Sequence, residues 1–118
     1  MMTKNSEHDG IYLAYFSGEI GTSLGIFMLK DGVLTGGDLG GGLYDGSVAV
    51  DTAKMIATGK IKIRMQTGGT SITGAHSDFP IEYDTDVALT LPLESAAYHS
   101  INTFSGPVNV RFEKVRSL

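Results

Sequence analysis

Three carboxylates alternate along residues 82–86, where Glu82, Asp84 and Asp86 are each separated by one residue. On an extended strand alternate residues share a face, so the three side chains would form one acidic row. Such a row could supply the acid and base of an active site, bind a cation or dock a partner. The interpretation that we favour is a solvated strand face whose charges pair with the basic residues that alternate along 60–64.

The histidines do not indicate a metal site. His8, His76 and His99 lie far apart in the sequence, and none has metal-ligand spacing to another. The chain has no cysteine, which removes thiolate ligands, cysteine nucleophiles and disulfides from consideration. We therefore predict neither a metal nor a cofactor.

A catalytic alternative rests on a short stretch of the chain. His76, Ser77 and Asp78 are the residue types of a hydrolase triad, but neighbours on an extended chain point to opposite faces and cannot form one relay. What remains is a small barrel hydrolase or isomerase that uses His76, Glu82 or Asp84 as acid or base. This hypothesis requires the carboxylates to point into the fold, and it is the alternative to a non-enzymatic binding protein.

Glycine is unusually frequent, with 16 among 118 residues. The densest run, residues 36–42, invites comparison with a phosphate-binding loop. Neither the Gly-Lys-Ser/Thr motif nor the Gly-x-Gly-x-x-Gly spacing is present, however. We interpret the run as a connection that interrupts a strand.

Length and composition predict one globular domain. A chain of 118 residues with 42% hydrophobic and 19% charged residues has room for one core. Residues 1–8 are typical of a polar, disordered tail, which leaves 9–118 as the domain. The net charge of −4 argues against direct contact with nucleic acid, and no apolar run approaches the ~18 residues that cross a bilayer. We expect a cytoplasmic protein without membrane insertion.

Short strands separated by turn residues run through the whole chain. Residues 11–16 and 24–29 are almost wholly apolar, and the Asp31-Gly32 step that follows is typical of a hairpin. Residues 51–58 could form one short helix, which we treat as a connection, and we assign residues 93–105 to a strand. Cleaner alternation of apolar and polar residues occurs at 61–65, 79–84, 87–91 and 108–112.

This pattern predicts an all-β fold. About seven or eight short strands with regular turn signals and no long helix are typical of an antiparallel barrel or sandwich. Eight strands of about six residues, with short connecting loops, use about this many residues. An eight-stranded barrel can hold one small ligand. The predicted cavity lining, for a small apolar molecule, is Ile61, Ile63, Met65, Phe79, Tyr83, Leu89, Val110 and Phe112.

The opening strands are apolar on both faces, although only one face can point into a barrel. The other face must be shielded from water, because a solvent-exposed apolar strand face promotes aggregation. We predict that a second copy of the chain covers it. This homodimer interface is assigned to Tyr12, Ala14, Phe16 and Phe27.

Three glycine-led segments follow one another near the start of the chain: Asp9-Gly10-Ile11-Tyr12, then residues 29–38, then Tyr44-Asp45-Gly46. In this order they resemble the opening of the GrlR family, small negative regulators linked to type III secretion. The likeness covers residues 9–46. The residues assigned to this structural motif are Gly10, Gly32, Gly36, Gly37, Asp38 and Gly46.

The resemblance implies an eight-stranded antiparallel β-barrel of the calycin or lipocalin kind, and this is the fold that we predict. It further implies that the barrel forms a homodimer, accepts a lipid-like molecule and sequesters a transcriptional activator. In the regulators, a run of consecutive acidic residues after the Tyr-x-Gly strand holds the activator. Here residues 47–54 contain a single acidic residue, Asp51. The expected function is a GrlR-like, non-enzymatic regulatory protein that acts through contact with a protein partner, such as a transcription regulator.

Overall fold

The computed structural model of the chain describes residues 7–19, 21–65, 80–103 and 106–118. Its elements are eight strands and, between β6 and β7, one turn of 3-10 helix at Leu93–Ser95. The strands are β1 (Gly10–Gly18), β2 (Gly21–Lys30), β3 (Val33–Asp38), β4 (Gly42–Asp51), β5 (Ile56–Met65), β6 (Ile81–Thr90), β7 (His99–Thr103) and β8 (Gly106–Ser117).

All eight strands belong to one antiparallel sheet in the order β6-β5-β4-β3-β2-β1-β8-β7, which curls into a nearly closed barrel. β1 lies between β2 and β8 and pairs with both. The edge strands β6 and β7 meet through a side chain, since the Thr85 hydroxyl donates a hydrogen bond to the backbone carbonyl of Asn102. The predicted eight-stranded antiparallel β-barrel is confirmed.

The core is the inner face of this barrel. Along each strand every second side chain points inward, so apolar and polar residues separate onto two faces. β5 shows the pattern clearly, with Ile61, Ile63 and Met65 buried and Lys62 and Arg64 exposed between them. The alternation therefore sets which side chains meet in the lumen.

The hairpin between β2 and β3 turns at Asp31 and Gly32, which have φ values of 52° and 80°. Lys30 and Val33 pair on either side, which leaves the two-residue loop expected for an Asp-Gly turn. The carboxylate of buried Asp9 accepts a hydrogen bond from the backbone N–H of Asp31, at 3.3 Å to either oxygen. The predicted hairpin is confirmed, and Asp9 stabilises its turn.

Three local predictions need correction. β3 continues to Asp38, so the break expected at residues 36–42 is confined to residues 39–41. No helix forms at residues 51–58, because β4 and β5 pair as far as Asp51 and Ile56 and leave only a short loop. Residues 93–105 are not one strand, since the 3-10 turn precedes β7.

The start of the described chain also differs from the prediction of a tail at residues 1–8. His8 is buried, and its carbonyl oxygen accepts a hydrogen bond from the Tyr12 hydroxyl at 2.6 Å. The Lys114 ammonium donates to the carbonyl oxygen of Glu7 at 3.2 Å. Glu7 and His8 therefore belong to the barrel, while residues 1–6 lie outside the described residues.

β4 and β5 approach closely at Gly59. A Cβ at this position would overlap the carbonyl oxygen of Ser47 and lie 2.8 Å from the Cα of Val48. We expect Gly59→Ala to lower the free energy of unfolding by about 1–3 kcal/mol, because the strands must separate. Urea denaturation measures this change.

Gly21→Ala is the matched control, since a Cβ there meets nothing within 4 Å. It should change the free energy of unfolding by less than ~0.5 kcal/mol. An equal loss in the two variants would contradict the close approach of β4 and β5.

Candidate functional site: the barrel lumen and its polar rim

A cavity of about 90 Å³ lies inside the barrel. Its wall is mainly aliphatic and aromatic, with contributions from all eight strands. Pockets for drug-sized ligands are larger, roughly 300–1,000 Å³. The lumen therefore suits a small or slim apolar molecule.

Most of the predicted lining lies along this cavity. The residues that do so are Ile61, Ile63, Met65, Tyr83, Leu89, Val110 and Phe112, whereas Phe79 lies outside the described residues. The sequence pattern misses an aromatic part of the wall. The rings of Phe16 and Tyr44 stack with centroids 6.0 Å apart, and the ring of Phe27 lies 5.1 Å from that of Tyr44.

The assignment of four residues to a dimer interface is wrong. Tyr12, Ala14, Phe16 and Phe27 are 1%, 0%, 7% and 5% exposed, so they belong to the core. Both faces of β1 are apolar, and the alternation of residues does not reveal which face points inward. The outward face carries the other set, on which Ile11, Leu13 and Tyr15 are half-buried.

Asp38 brings a carboxylate to the wall of the cavity. Its Oδ1 accepts a hydrogen bond from the backbone N–H of Gly42 at 2.9 Å, and its Oδ2 accepts one from the Tyr44 hydroxyl. Asp38 ends β3 and Gly42 begins β4, so the short loop between the strands holds the carboxylate in place. A residue predicted as part of a structural motif thus lies at the candidate site.

Two tyrosine hydroxyls accompany this carboxylate. Burial raises the pKa of Tyr44 well above its ordinary value of 10.0, and the hydrogen bond to Asp38 and the charges of Asp38 and Tyr83 act in the same direction. Burial also raises the pKa of Tyr83, although a side-chain hydrogen bond with Thr103 opposes this rise and the charge of Asp38 adds to it. Both phenols are therefore neutral at physiological pH.

These polar groups share one end of the barrel. Because successive strands run in opposite directions, the ends of β3 and β7 lie beside the starts of β4 and β6. We call Asp38, Tyr44, Tyr83 and Thr103 the rim cluster. All four line the cavity.

The opposite end of the barrel is filled by apolar side chains. Leu91 and Leu93 are 4% and 1% exposed; Leu91 precedes the 3-10 turn and Leu93 begins it. His99 is buried there, and its Nε2 lies 3.0 Å from the carbonyl oxygen of Leu93. The cavity thus has a closed apolar end and a polar end.

The acidic row lies on the outside of the barrel. Glu82, Asp84 and Asp86 are exposed on β6. Their partners across the strands follow the register Lys60↔Asp86, Lys62↔Asp84 and Arg64↔Glu82. The Lys60–Asp86 and Arg64–Glu82 pairs approach to 3.7 and 3.8 Å, which confirms the predicted charge pairing.

The catalytic hypothesis required Glu82 and Asp84 to point into the barrel, and their exposure contradicts this placement. His76, its third member, lies outside the described residues. Among residues 7–19, 21–65, 80–103 and 106–118, no three His, Asp or Glu side chains form a group that could hold a metal. No helix in the same part of the chain is long and apolar enough to cross a membrane.

Fold and site together define an antiparallel β-barrel with a small apolar lumen and a polar rim at one end. No protein-family model, curated protein or solved structure matches the chain. The resemblance to the GrlR family over residues 9–46 stays a prediction.

The Tyr44 hydroxyl should stabilise the fold in a pH-dependent way. Its folded-state pKa lies above the 10.0 of an unfolded tyrosine, so the folded chain keeps a proton that the unfolded chain loses above pH 10. The stabilisation is complete below about pH 10 and decreases as the pH rises further. We expect Tyr44→Phe to lower the free energy of unfolding by about 1–3 kcal/mol at pH 8, and by less at pH 11.

Urea denaturation at the two pH values measures both differences. Tyr98→Phe is the matched control, because this ring is 59% exposed, and it should change stability by less than ~0.5 kcal/mol at pH 8. A Tyr44→Phe variant as stable as the wild type at pH 8 would contradict the hydrogen bond to Asp38.

Proposed function

We propose that the protein is a non-enzymatic binding protein whose barrel takes up a small, mainly apolar molecule. The observation that carries this proposal is the cavity, which combines an apolar wall with the rim cluster. Moving apolar ligand surface from water to such a wall supplies roughly 25 cal/mol per Å². The polar groups at one end would orient the ligand.

The energetics of the lumen support the same proposal. Apolar volume that is left unfilled costs about 24 cal/mol per Å³, so a ligand that fills about 90 Å³ would contribute about 2 kcal/mol to the stability of the fold.

Butan-1-ol is a suitable first probe, because it joins a slim apolar chain to one hydroxyl group and its four carbons match a cavity of about 90 Å³. We expect isothermal titration calorimetry to detect its binding to the wild type. Val108→Phe should weaken binding by about tenfold or more, since Val108 lines the cavity and the larger side chain fills it.

Asn109→Phe is the matched control, because Asn109 is the next residue of β8 and is exposed. It should bind butan-1-ol as the wild type does. Equal weakening in the two variants, or no binding to the wild type, would contradict a ligand site in the lumen.

The outer face of β1 and β2 supports a second proposal, a cytoplasmic homodimer. Leu13 pairs with Ile26 and Ile11 with Met28, so four apolar side chains adjoin on this face. Ile26 and Met28 are 54% and 39% exposed. A second copy that packs against this face would remove it from water.

Contact with a regulatory protein is the remaining part of the proposal, and the resemblance to the GrlR family supports it. The acidic run of those regulators is reduced here to Asp51, whose Oδ1 accepts hydrogen bonds from the N–H groups of Ala53 and Lys54 at 3.0 and 3.1 Å. This carboxylate is therefore engaged within its own loop. We propose that a partner, such as a transcription regulator, contacts the dimer by other residues.

The dimer is tested by charge placed on the apolar face. We expect Ile26→Lys to convert the dimer to a monomer in sedimentation equilibrium, because a buried unpaired ammonium is costly at an interface. Ala88→Lys adds the same charge at an exposed position of β6 and should leave the dimer intact. A monomeric wild type would overturn this proposal.

A further inference from the structure

We propose that the rim cluster selects a small primary amine with a slim apolar tail and disfavours a carboxylate of the same length. This inference rests on the proposed ligand site in the lumen and adds the chemistry of the head group. Its basis is one unbalanced charge. Among the described residues of the cavity wall, Asp38 is the one charged side chain.

Among the described residues, the groups that donate hydrogen bonds to Asp38 carry no positive charge. Gly42 donates its backbone N–H to Oδ1 and Tyr44 donates its hydroxyl to Oδ2, and both donors are neutral. A carboxylate offers about four acceptor positions, so about two remain for a ligand. A charge beside apolar walls is favourable only when an opposite charge or further hydrogen bonds accompany it.

The other rim residues match an ammonium group. An ammonium has three N–H donors and no acceptor. Asp38 can accept one of them. Tyr83 and Thr103, at the same end of the cavity, already share a side-chain hydrogen bond, and the Thr103 hydroxyl donates to the carbonyl oxygen of Gly106 at 2.7 Å. Because a hydroxyl oxygen has two acceptor lone pairs, each can also accept a hydrogen bond from a ligand. The neutral phenols of Tyr44 and Tyr83 add no charge that would compete with Asp38.

The same arrangement opposes a fatty acid. A ligand carboxylate at the rim would lie near Asp38, and like charges repel more strongly where apolar walls lower the dielectric constant. The described wall contains no lysine, arginine or histidine that could neutralise it. The volume of about 90 Å³ further restricts the tail to a slim chain.

Three ligands of equal chain length test this selectivity on the full chain at pH 7: butylamine, butan-1-ol and butanoate. In isothermal titration calorimetry we expect butylamine, which is protonated at this pH, to bind about tenfold or more tightly than butanoate. Butan-1-ol should fall between them. Asp38→Asn should bring butylamine and butanoate to within about threefold of each other, since it removes the charge and keeps the shape.

Asp84→Asn removes a carboxylate on the outer face and is the matched control for net charge. It should keep the wild-type preference. The wild-type ranking tests the proposal even where Asp38→Asn does not fold. Butanoate that binds as tightly as butylamine, or an undiminished preference in folded Asp38→Asn, would overturn the head-group inference. Binding of butan-1-ol would in that case still support the ligand site in the lumen. Failure of all three ligands to bind would overturn the proposed function itself.

Discussion

The antiparallel pairing of β1 with β8 joins the two ends of the chain, from Gly10 opposite Ser117 to Ser17 opposite Asn109. Closing so long a loop costs conformational entropy, which the ladder of hydrogen bonds and the apolar contacts behind it must offset. The ring of Tyr12 packs edge-on against that of Phe112, with centroids 6.1 Å apart. Without this pairing β7 and β8 would separate from the other six strands, and the sheet would not enclose a lumen.

The two ends of the enclosed lumen differ in their chemistry. At one end Leu91 and Leu93 are buried around the 3-10 turn, so side chains fill the space. At the other end the loop between β3 and β4 holds Asp38 against Tyr44, which places a polar group among the described residues there. Buried apolar side chains thus lie at one end of the barrel axis, and the polar groups of the candidate ligand site lie at the other.

The three glycine-led segments near the start of the chain contact one another in pairs. Asp9 accepts a hydrogen bond from Asp31 at the turn between β2 and β3, which is a contact within the scaffold. Asp38 accepts one from Tyr44, which is a contact within the rim cluster. One of these contacts therefore supports the fold and the other shapes the candidate site.

The alternation of residues predicted the strands, the Asp31-Gly32 hairpin, the charge pairs between β5 and β6 and much of the cavity lining, because all of these follow from the two-residue period of a strand. The same period could not orient β1, whose two faces are both apolar, so Tyr12 was predicted on the wrong side. It also could not find the rim cluster. Asp38 and Thr103 are distant in sequence and share one rim because the sheet closes, and closure is a property of the assembled strands rather than of any one segment.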